Sequence, residues 1–285
     1  MNGLTVIGSE REAAPGDQER TSGRVTGRFA CSHCPDAAVD MSVMRTGVVY
    51  AALGDSMSID DYAGGPGRGA ASLLLRNRDR DFPAWAGRDL ATRDPAARLH
   101  LLATDGATAT TVAHQQLPRL RRLGVAPTLA TVTMGGNDLL VAYGDGAAAR
   151  RAIRSVVAGG ETVLGGLRAL MGPDAPIVIG TVYDPSDATG DAVQLGLPPW
   201  PQVLELLAEL NRALVAVAVA HGALVADVHA RFLGHGLAVG DPTQPAARPA
   251  NRTLWYCDLI EPNAWGASEI RAAFWQALAS ADSTS

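Results

Sequence analysis

Two segments of the sequence place a polar side chain suited to acyl chemistry directly after a run of apolar residues. Ser56 follows the run 48–53 within a Gly-Asp-Ser sequence, and Asn137 follows the run 128–134 within a Gly-Gly-Asn-Asp sequence. Short apolar runs are typical of buried strands. Open α/β sheets build their active sites at the carboxyl ends of such strands. The two segments therefore predict a hydroxyl and a carboxamide at one edge of a sheet.

A third segment, Thr104-Asp105-Gly106, follows the apolar run 99–103. Gly106 lacks a Cβ, so the backbone there can approach a bound ligand closely. Backbone amides near Ser56 and Gly106, with the amide of Asn137, would converge as donors on a developing negative oxygen. A serine also needs a base to act as a nucleophile. We expect the base in the last loop, 255–266, which contains Asp258 and Glu261.

The elements that must position these residues alternate along the chain from Arg45 onward. Short apolar runs separated by helix-like stretches predict a parallel sheet with helices on both faces. The predicted strands are 48–53, 99–103, 128–134, 177–182 and 224–228, and the predicted helices are 81–91, 110–123, 147–171, 200–221 and 264–279.

Composition excludes several classes of protein. Apolar residues make up 47% of the 285 residues and charged residues 19%, which excludes a wholly disordered chain. The net charge of −5 without a basic run argues against nucleic acid as a partner. All 24 basic residues are Arg, so mechanisms that need a lysine, such as Schiff bases and P-loops, are excluded.

The first 44 residues are rich in Gly, Ser, Arg and acidic residues and show no helical or strand period, which predicts a disordered tail ahead of a single domain, 45–285. This tail contains Cys31, His33 and Cys34, half of a zinc-ligand pattern, but the next cysteine is the distant Cys257. We therefore predict no metal site. The odd number of cysteines and the absence of a signal sequence or an apolar span predict a cytoplasmic protein.

In their order and spacing, the blocks around Ser56, Gly106, Asn137 and Asp258 resemble those of the SGNH hydrolase superfamily, the GDSL esterases and lipases. The resemblance covers 48–279. It implies a flavodoxin-like three-layer sandwich with a five-stranded parallel sheet. It also implies that Ser56 is the nucleophile, that Gly106 and Asn137 are oxyanion donors, and that no cofactor takes part.

The last block departs from the family pattern, because Glu261 stands where the catalytic histidine belongs. Burial beside Asp258 would raise the pKa of a carboxyl group and make it a usable base. A Ser-Glu-Asp set resembles, in residue type only, the triad of the serine-carboxyl peptidases, which have an unrelated fold. His235, in the Gly-His-Gly loop after the fifth strand, and His229 are alternative bases, and His235 is otherwise a substrate-contact residue.

Three functions follow from this pattern. The first is a serine hydrolase that cleaves a small acyl or acetyl ester through an acyl-Ser56 intermediate. The second is a catalytically silent protein that binds an ester or a sugar, which the Glu261 departure favours. The third is an acyltransferase, in which an alcohol replaces water in the second step. We rank the hydrolase first, with a small-molecule ester as its partner.

Overall fold

The computed structural model describes residues 47–191, 193, 196–237, 239, 253–258 and 260–282. The predicted tail, 1–44, and the Cys31, His33 and Cys34 pattern lie outside the described residues. All described residues fall within one compact unit, Val39–Ser285.

Five parallel strands form the central sheet, as predicted. In spatial order they are β2, β1, β3, β4 and β5. Their bounds in chain order are β1 Val49–Leu53, β2 Arg98–Leu101, β3 Leu129–Val132, β4 Ile177–Gly180 and β5 Leu224–Ala226. All four strand pairs are parallel, so the five carboxyl ends lie at one edge.

Helices cover both faces of the sheet. They are α1 Ala70–Leu75, α2 Leu90–Arg93, α3 Ala109–Thr111, α4 Leu117–Arg122, α5 Gly136–Val141, α6 Gly146–Met171, α7 Gln202–Ala220, α8 Val228–Phe232 and α9 Ala264–Asp282. Alternate residues of β1 enter two different cores, because successive strand side chains point to opposite faces. Leu53 packs in the core beneath α6 and α7, whereas Tyr50 packs in the core beneath α1 and α9. This is the predicted three-layer sandwich.

The prediction of one helix over 81–91 is wrong. A 3-10 turn, Pro83–Trp85, is followed by a separate short helix, α2. Gly87 has φ +75°, which breaks the helical backbone between them. The Asp89 carboxylate then accepts a hydrogen bond from the Thr92 amide at 2.7 Å and starts α2. The helix α1, which follows a glycine-rich stretch, was not predicted.

The predicted helix 110–123 is present but interrupted. Between α3 and α4 the chain forms one π-helical turn, Val112–Gln116. Such turns inside helices are frequently found at functional sites. Here the widened turn places Gln116 against the first strand end, where it is 3% exposed.

Candidate active site

The first strand end is shaped by a contact that only glycine permits. Gly54 has φ +136°, and a Cβ built there would lie 2.2 Å from Thr133 Oγ1 and 2.3 Å from the Thr133 carbonyl oxygen. The chain therefore turns sharply against β3 directly before Ser56. Thr133 Oγ1 accepts a hydrogen bond from the Asp55 amide at 3.2 Å and lies 3.1 Å from Ser58 Oγ. These contacts fix the turn that presents Ser56.

Gln116 holds the same turn from the other side. Its Oε1 accepts a hydrogen bond from the Gly54 amide at 2.7 Å, and its Nε2 donates to the Gly54 carbonyl oxygen at 2.8 Å. Both backbone groups of Gly54 are therefore bonded by one side chain, and the Gly54 carbonyl oxygen also accepts a hydrogen bond from the Thr104 amide at 3.1 Å. Gln116 was not predicted as a site residue, because a glutamine within a helical pattern carries no signal for the π turn.

Asn137, at the start of α5, borders the same cavity as Ser56. Its Nδ2 donates a hydrogen bond to the Ala107 carbonyl oxygen at 3.1 Å, which orients the carboxamide. Asp138 accepts a hydrogen bond from the Ala109 amide at 2.9 Å and thereby joins α5 to the loop that contains Gly106. Gly106 itself sits in an exposed turn with φ +65°. The second and third strand ends are thus tied together around the predicted oxyanion donors.

A small antiparallel hairpin, β6 Tyr256–Cys257 and β7 Glu261–Pro262, delivers Glu261 to the site. Cys257 pairs with Glu261 in this hairpin. The Tyr183 hydroxyl donates a hydrogen bond to the Ile260 carbonyl oxygen at 2.8 Å, and Cys257 Sγ donates to the Tyr62 carbonyl oxygen at 3.4 Å. The hairpin is therefore held to the sheet on two sides.

Asn263 fixes the hairpin to the last helix. Its Nδ2 donates hydrogen bonds to the carbonyl oxygens of Leu254, at 2.7 Å, and Tyr256, at 3.2 Å. Its Oδ1 accepts from the Trp265 amide at 2.9 Å and the Gly266 amide at 3.1 Å, which caps α9. Asn263 is fully buried. One side chain therefore joins the hairpin that contains Glu261 to the start of α9.

The carboxyl group of Glu261 interacts directly with Ser56. Burial raises the pKa of Glu261 to about 7, and the interaction with the Ser56 hydroxyl opposes this rise. The nearby charges of Asp105, Asp55 and Asp258 add to the increase. Oε2 of Glu261 is buried without a hydrogen-bond partner among the described residues. A carboxyl group in this setting can exchange a proton near neutral pH.

Asp258 lies in the turn of the hairpin and is exposed. Its backbone adopts the left-handed conformation, with φ +42°, which is uncommon for a residue other than glycine. Its effect on Glu261 is electrostatic, through its negative charge. Asp258 therefore adds to the raised pKa of Glu261 by its charge, and a catalytic role for Asp258 stays a prediction.

Asp105 and Tyr62 complete the polar side of the site, and neither was predicted as a site residue. Burial raises the pKa of Tyr62, and the interaction with the Asp105 carboxylate and the charges of Glu261 and Asp258 add to this rise. Among the neighbouring charges, that of Asp105 contributes most to the raised pKa of Glu261. Its place beside Gly106 was the available signal, since the loop after a parallel strand reaches the same edge as Ser56.

Asp55 is a second buried carboxyl group next to the predicted nucleophile. Its side chain is 2% exposed, and burial raises its pKa to about 6. Asp55 Oδ1 accepts a hydrogen bond from the Met57 amide at 3.2 Å, which stabilises the turn after Ser56. The site therefore contains two carboxyl groups that titrate above their ordinary range.

The two histidines considered as alternative bases have other contacts. The ring of His235 stacks on Trp255 at 3.5 Å with an interplanar angle of 4°, and its Nδ1 lies 2.8 Å from the Thr253 carbonyl oxygen. His229 Nδ1 donates to the Val182 carbonyl oxygen at 3.1 Å. The structure brings Ser56 and Glu261 together but gives neither histidine a contact with Ser56 in the part of the chain it describes. Substrate contact by His235 stays a prediction.

An apolar cavity of about 120 Å³ opens at Ser56. Asn137 and Asp55 border it together with side chains from α5, α7 and the loop after β4. Apolar cavities with a few convergent polar groups are typical of small-molecule sites. In the described residues, no group of three or more His, Cys, Asp or Glu side chains is arranged to hold a metal ion.

Residues 52–267 match the model of the GDSL-like lipase/acylhydrolase family, so the chain belongs to this family of ester hydrolases. The comparison with curated protein sequences gives no match.

Two solved structures illustrate the similarity of fold. One is LAE5, an α/β hydrolase enzyme from the metagenome of Lake Arreo, Spain, with 20% identity and a TM-score of 0.54 over 82% of this chain and 96% of that chain. The other is a catalytic mutant of Axe2, an acetylxylan esterase from Geobacillus stearothermophilus, with 14% identity and a TM-score of 0.56 over 82% of this chain and 95% of that chain. At these identities the likeness concerns the fold. No helix among the described residues is both long and apolar enough to span a membrane.

Proposed function

We propose that this protein hydrolyses carboxylic esters through an acyl-Ser56 intermediate, with Glu261 as the general base and Asn137 as an oxyanion donor. The observation that carries the proposal is that Ser56, which borders the apolar cavity, interacts through its hydroxyl with the carboxyl group of Glu261. A nucleophile hydrogen-bonded to a base that titrates near neutral pH is the arrangement that activates a serine. The charge of Asp258 and of Asp105 supports Glu261 in this role.

In the first step, Ser56 Oγ attacks the ester carbonyl carbon and its proton passes to Glu261. The negative oxygen that forms is stabilised by the Asn137 amide and by the backbone amides near Ser56 and Gly106. Collapse of the tetrahedral intermediate breaks the bond to the alcohol oxygen, which leaves with the proton from Glu261. The acyl group remains on Ser56.

In the second step, a water molecule gives a proton to Glu261 and attacks the acyl-Ser56 carbonyl carbon. Collapse of the second tetrahedral intermediate releases the carboxylic acid and returns the proton to Ser56 Oγ. An acyltransferase would use an alcohol in place of this water. A silent binding protein would keep the cavity without either step.

Labelling with a fluorophosphonate tests the proposal without knowledge of the substrate. Wild-type protein is expected to be labelled stoichiometrically and to hydrolyse short p-nitrophenyl esters, and Ser56→Ala is expected to lose both properties. Ser58→Ala is the matched control: Ser58 is also buried, but its hydroxyl faces Thr133 Oγ1, so labelling should persist. Equal hydrolysis by wild type and Ser56→Ala would overturn the proposal. An unlabelled, inert wild type would favour the silent binding protein, and acyl transfer to added alcohols in preference to water would favour the acyltransferase.

A further inference from the structure

The cavity at Ser56 is walled by apolar side chains from two helices and two loops. Leu139 and Leu140 come from α5, Val203 and Leu207 from α7, and Val182 and Ile260 from loops at the same edge of the sheet. Leu139, Val182 and Leu207 also belong to the main hydrophobic core. The wall is therefore a continuation of the core that opens next to the nucleophile.

Polar groups that border this cavity are already hydrogen-bonded to the protein. Asp184 Oδ1 accepts from Ser186 Oγ at 2.6 Å and from the Ser186 amide at 2.9 Å. The Tyr143 hydroxyl donates to the Pro198 carbonyl oxygen at 2.8 Å. A polar ligand group would have to break these bonds, and a polar group buried without a partner is unfavourable. The cavity therefore suits an apolar group.

The arrangement of the site distinguishes which end of an ester enters the cavity. Ser56 and Asn137 border the cavity, whereas Glu261 does not. The group that protonates the alcohol oxygen must lie on the side of the leaving alcohol. On the Glu261 side lie the charged Asp105 and Asp258 and the hydroxyl of Tyr62. The alcohol therefore leaves toward a polar, acidic surface, and the acyl chain points into the cavity.

The volume sets the length of the acyl chain. A closed apolar cavity of roughly 150 Å³ holds benzene, a six-carbon molecule. A cavity of about 120 Å³ is slightly smaller. An acetyl group would place a single methyl there and leave most of the apolar wall without contacts, so the affinity available from burying further methylenes would be unused.

We propose that this cavity is an acyl-chain site for linear apolar acids with about four to six carbons beyond the carbonyl, an inference that rests on the proposed ester hydrolysis. Preferred substrates are then medium-chain esters of polar alcohols rather than acetyl esters. Each methylene that enters the cavity is expected to raise kcat/KM by up to about fourfold. For acyl chains longer than this, kcat/KM should not increase further.

Two isomeric esters test the orientation on the wild-type protein. Ethyl hexanoate and hexyl acetate have the same composition, but the long chain is on the acyl side in the first and on the alcohol side in the second. Acid release, followed by titration at constant pH, is expected to be at least about tenfold faster in kcat/KM for ethyl hexanoate. Equal rates or a preference for hexyl acetate would overturn the acyl-site proposal. No release from either ester, together with no fluorophosphonate labelling, would instead count against ester hydrolysis itself.

A filling variant tests the cavity directly. Val203→Trp, from the partly buried face of α7, should lower the ratio of ethyl hexanoate to ethyl acetate hydrolysis at least about tenfold. Val219→Trp is the control on the same helix, because Val219 is 71% exposed and does not border the cavity. An unchanged ratio in folded Val203→Trp would overturn the proposal. If Val203→Trp fails to fold, the comparison of ethyl hexanoate with hexyl acetate on the wild-type protein still tests the proposal.

Discussion

The Ser56 hydroxyl interacts with the carboxyl group of Glu261, although the two residues come from opposite ends of the sequence of the domain. The first strand ends at Ser56, and the last hairpin delivers Glu261 to the same edge of the sheet. Because burial raises the pKa of Glu261 to about 7, its carboxyl group can accept a proton from Ser56 near neutral pH.

Glu261 is expected to act in its ionised form, so kcat/KM should rise with pH through an acidic limb near the raised pKa of about 7. Glu261→Gln keeps the shape but removes the base, and should lower kcat by roughly 100- to 10,000-fold. Glu261→His, which restores an imidazole, should keep or raise the rate. Wild-type activity in Glu261→Gln combined with inactivity of His235→Ala would assign the base to the loop of His235 instead.

Asp105 raises the pKa of Glu261 by its charge and is exposed, so Asp105→Asn should fold normally. Removing the charge lowers the pKa of Glu261, so more of the base is ionised below neutral pH. The ratio of kcat/KM at pH 6 to that at pH 8 should therefore rise roughly two- to threefold, as a change of a few tenths of a pKa unit produces. Asp61→Asn is the control, because Asp61 is exposed and has no resolved effect on Glu261. An unchanged ratio in Asp105→Asn would contradict the electrostatic role.

The raised pKa of Glu261 should also appear in stability. In the folded protein Glu261 keeps its proton up to about pH 7, whereas its ordinary pKa is 4.5, so the folded state binds more protons between these values and loses stability as pH rises through them. Glu261→Gln does not titrate. Relative to wild type, its free energy of unfolding should therefore increase by as much as about 3 kcal/mol between pH 4 and pH 8. Denaturant unfolding at both pH values measures this difference, and parallel curves would show that the carboxyl group is not perturbed.

Asn137→Ala should lower kcat by about 100- to 1000-fold with little change in KM, because an oxyanion donor acts on charge that exists only in the transition state. Asn137→Asp should be at least as inactive, since a carboxylate would repel the developing negative oxygen. Steady-state kinetics on a short p-nitrophenyl ester separate the two constants. A change confined to KM would show that Asn137 contacts the substrate before reaction.

Gly54→Ala should destabilise the fold by roughly 3 kcal/mol or more, because its Cβ would overlap the backbone and side chain of Thr133 in a left-handed conformation. Gly124→Ala is the matched control. Gly124 also has a positive φ, +64°, but a Cβ there meets nothing within 4 Å, so only the backbone cost of about 1 kcal/mol applies. Thermal unfolding of the two variants should therefore differ clearly. Equal melting temperatures would show that the contact with Thr133 is not limiting.

The sequence by itself determined the sheet, because short apolar runs separated by longer helical patterns leave few alternatives to parallel strands with helices on both faces. It also brought Ser56 and Asn137 to one edge, since the carboxyl ends of parallel strands coincide. The helix 81–91 was predicted wrongly, because apolar spacing outweighed the breaking effect of Pro83 and Gly87. The spacing of apolar residues is a local signal, and it predicts the wrong element where a turn interrupts the helical pattern.

Only the tertiary structure decided how the site is assembled. The raised pKa of Glu261 depends on burial and on the charge of Asp105. The hydrogen bond between Gln116 and Gly54 joins two distant parts of the sequence and depends on the π turn that contains Gln116. Likewise, the sequence could not tell that His235 stacks on Trp255 while Glu261 meets Ser56. Burial and charge contacts are properties of the packed chain, because they depend on distances between residues that are remote in sequence. The residue types predicted an acyl-transfer site, and the packing selected the carboxyl group that meets the serine.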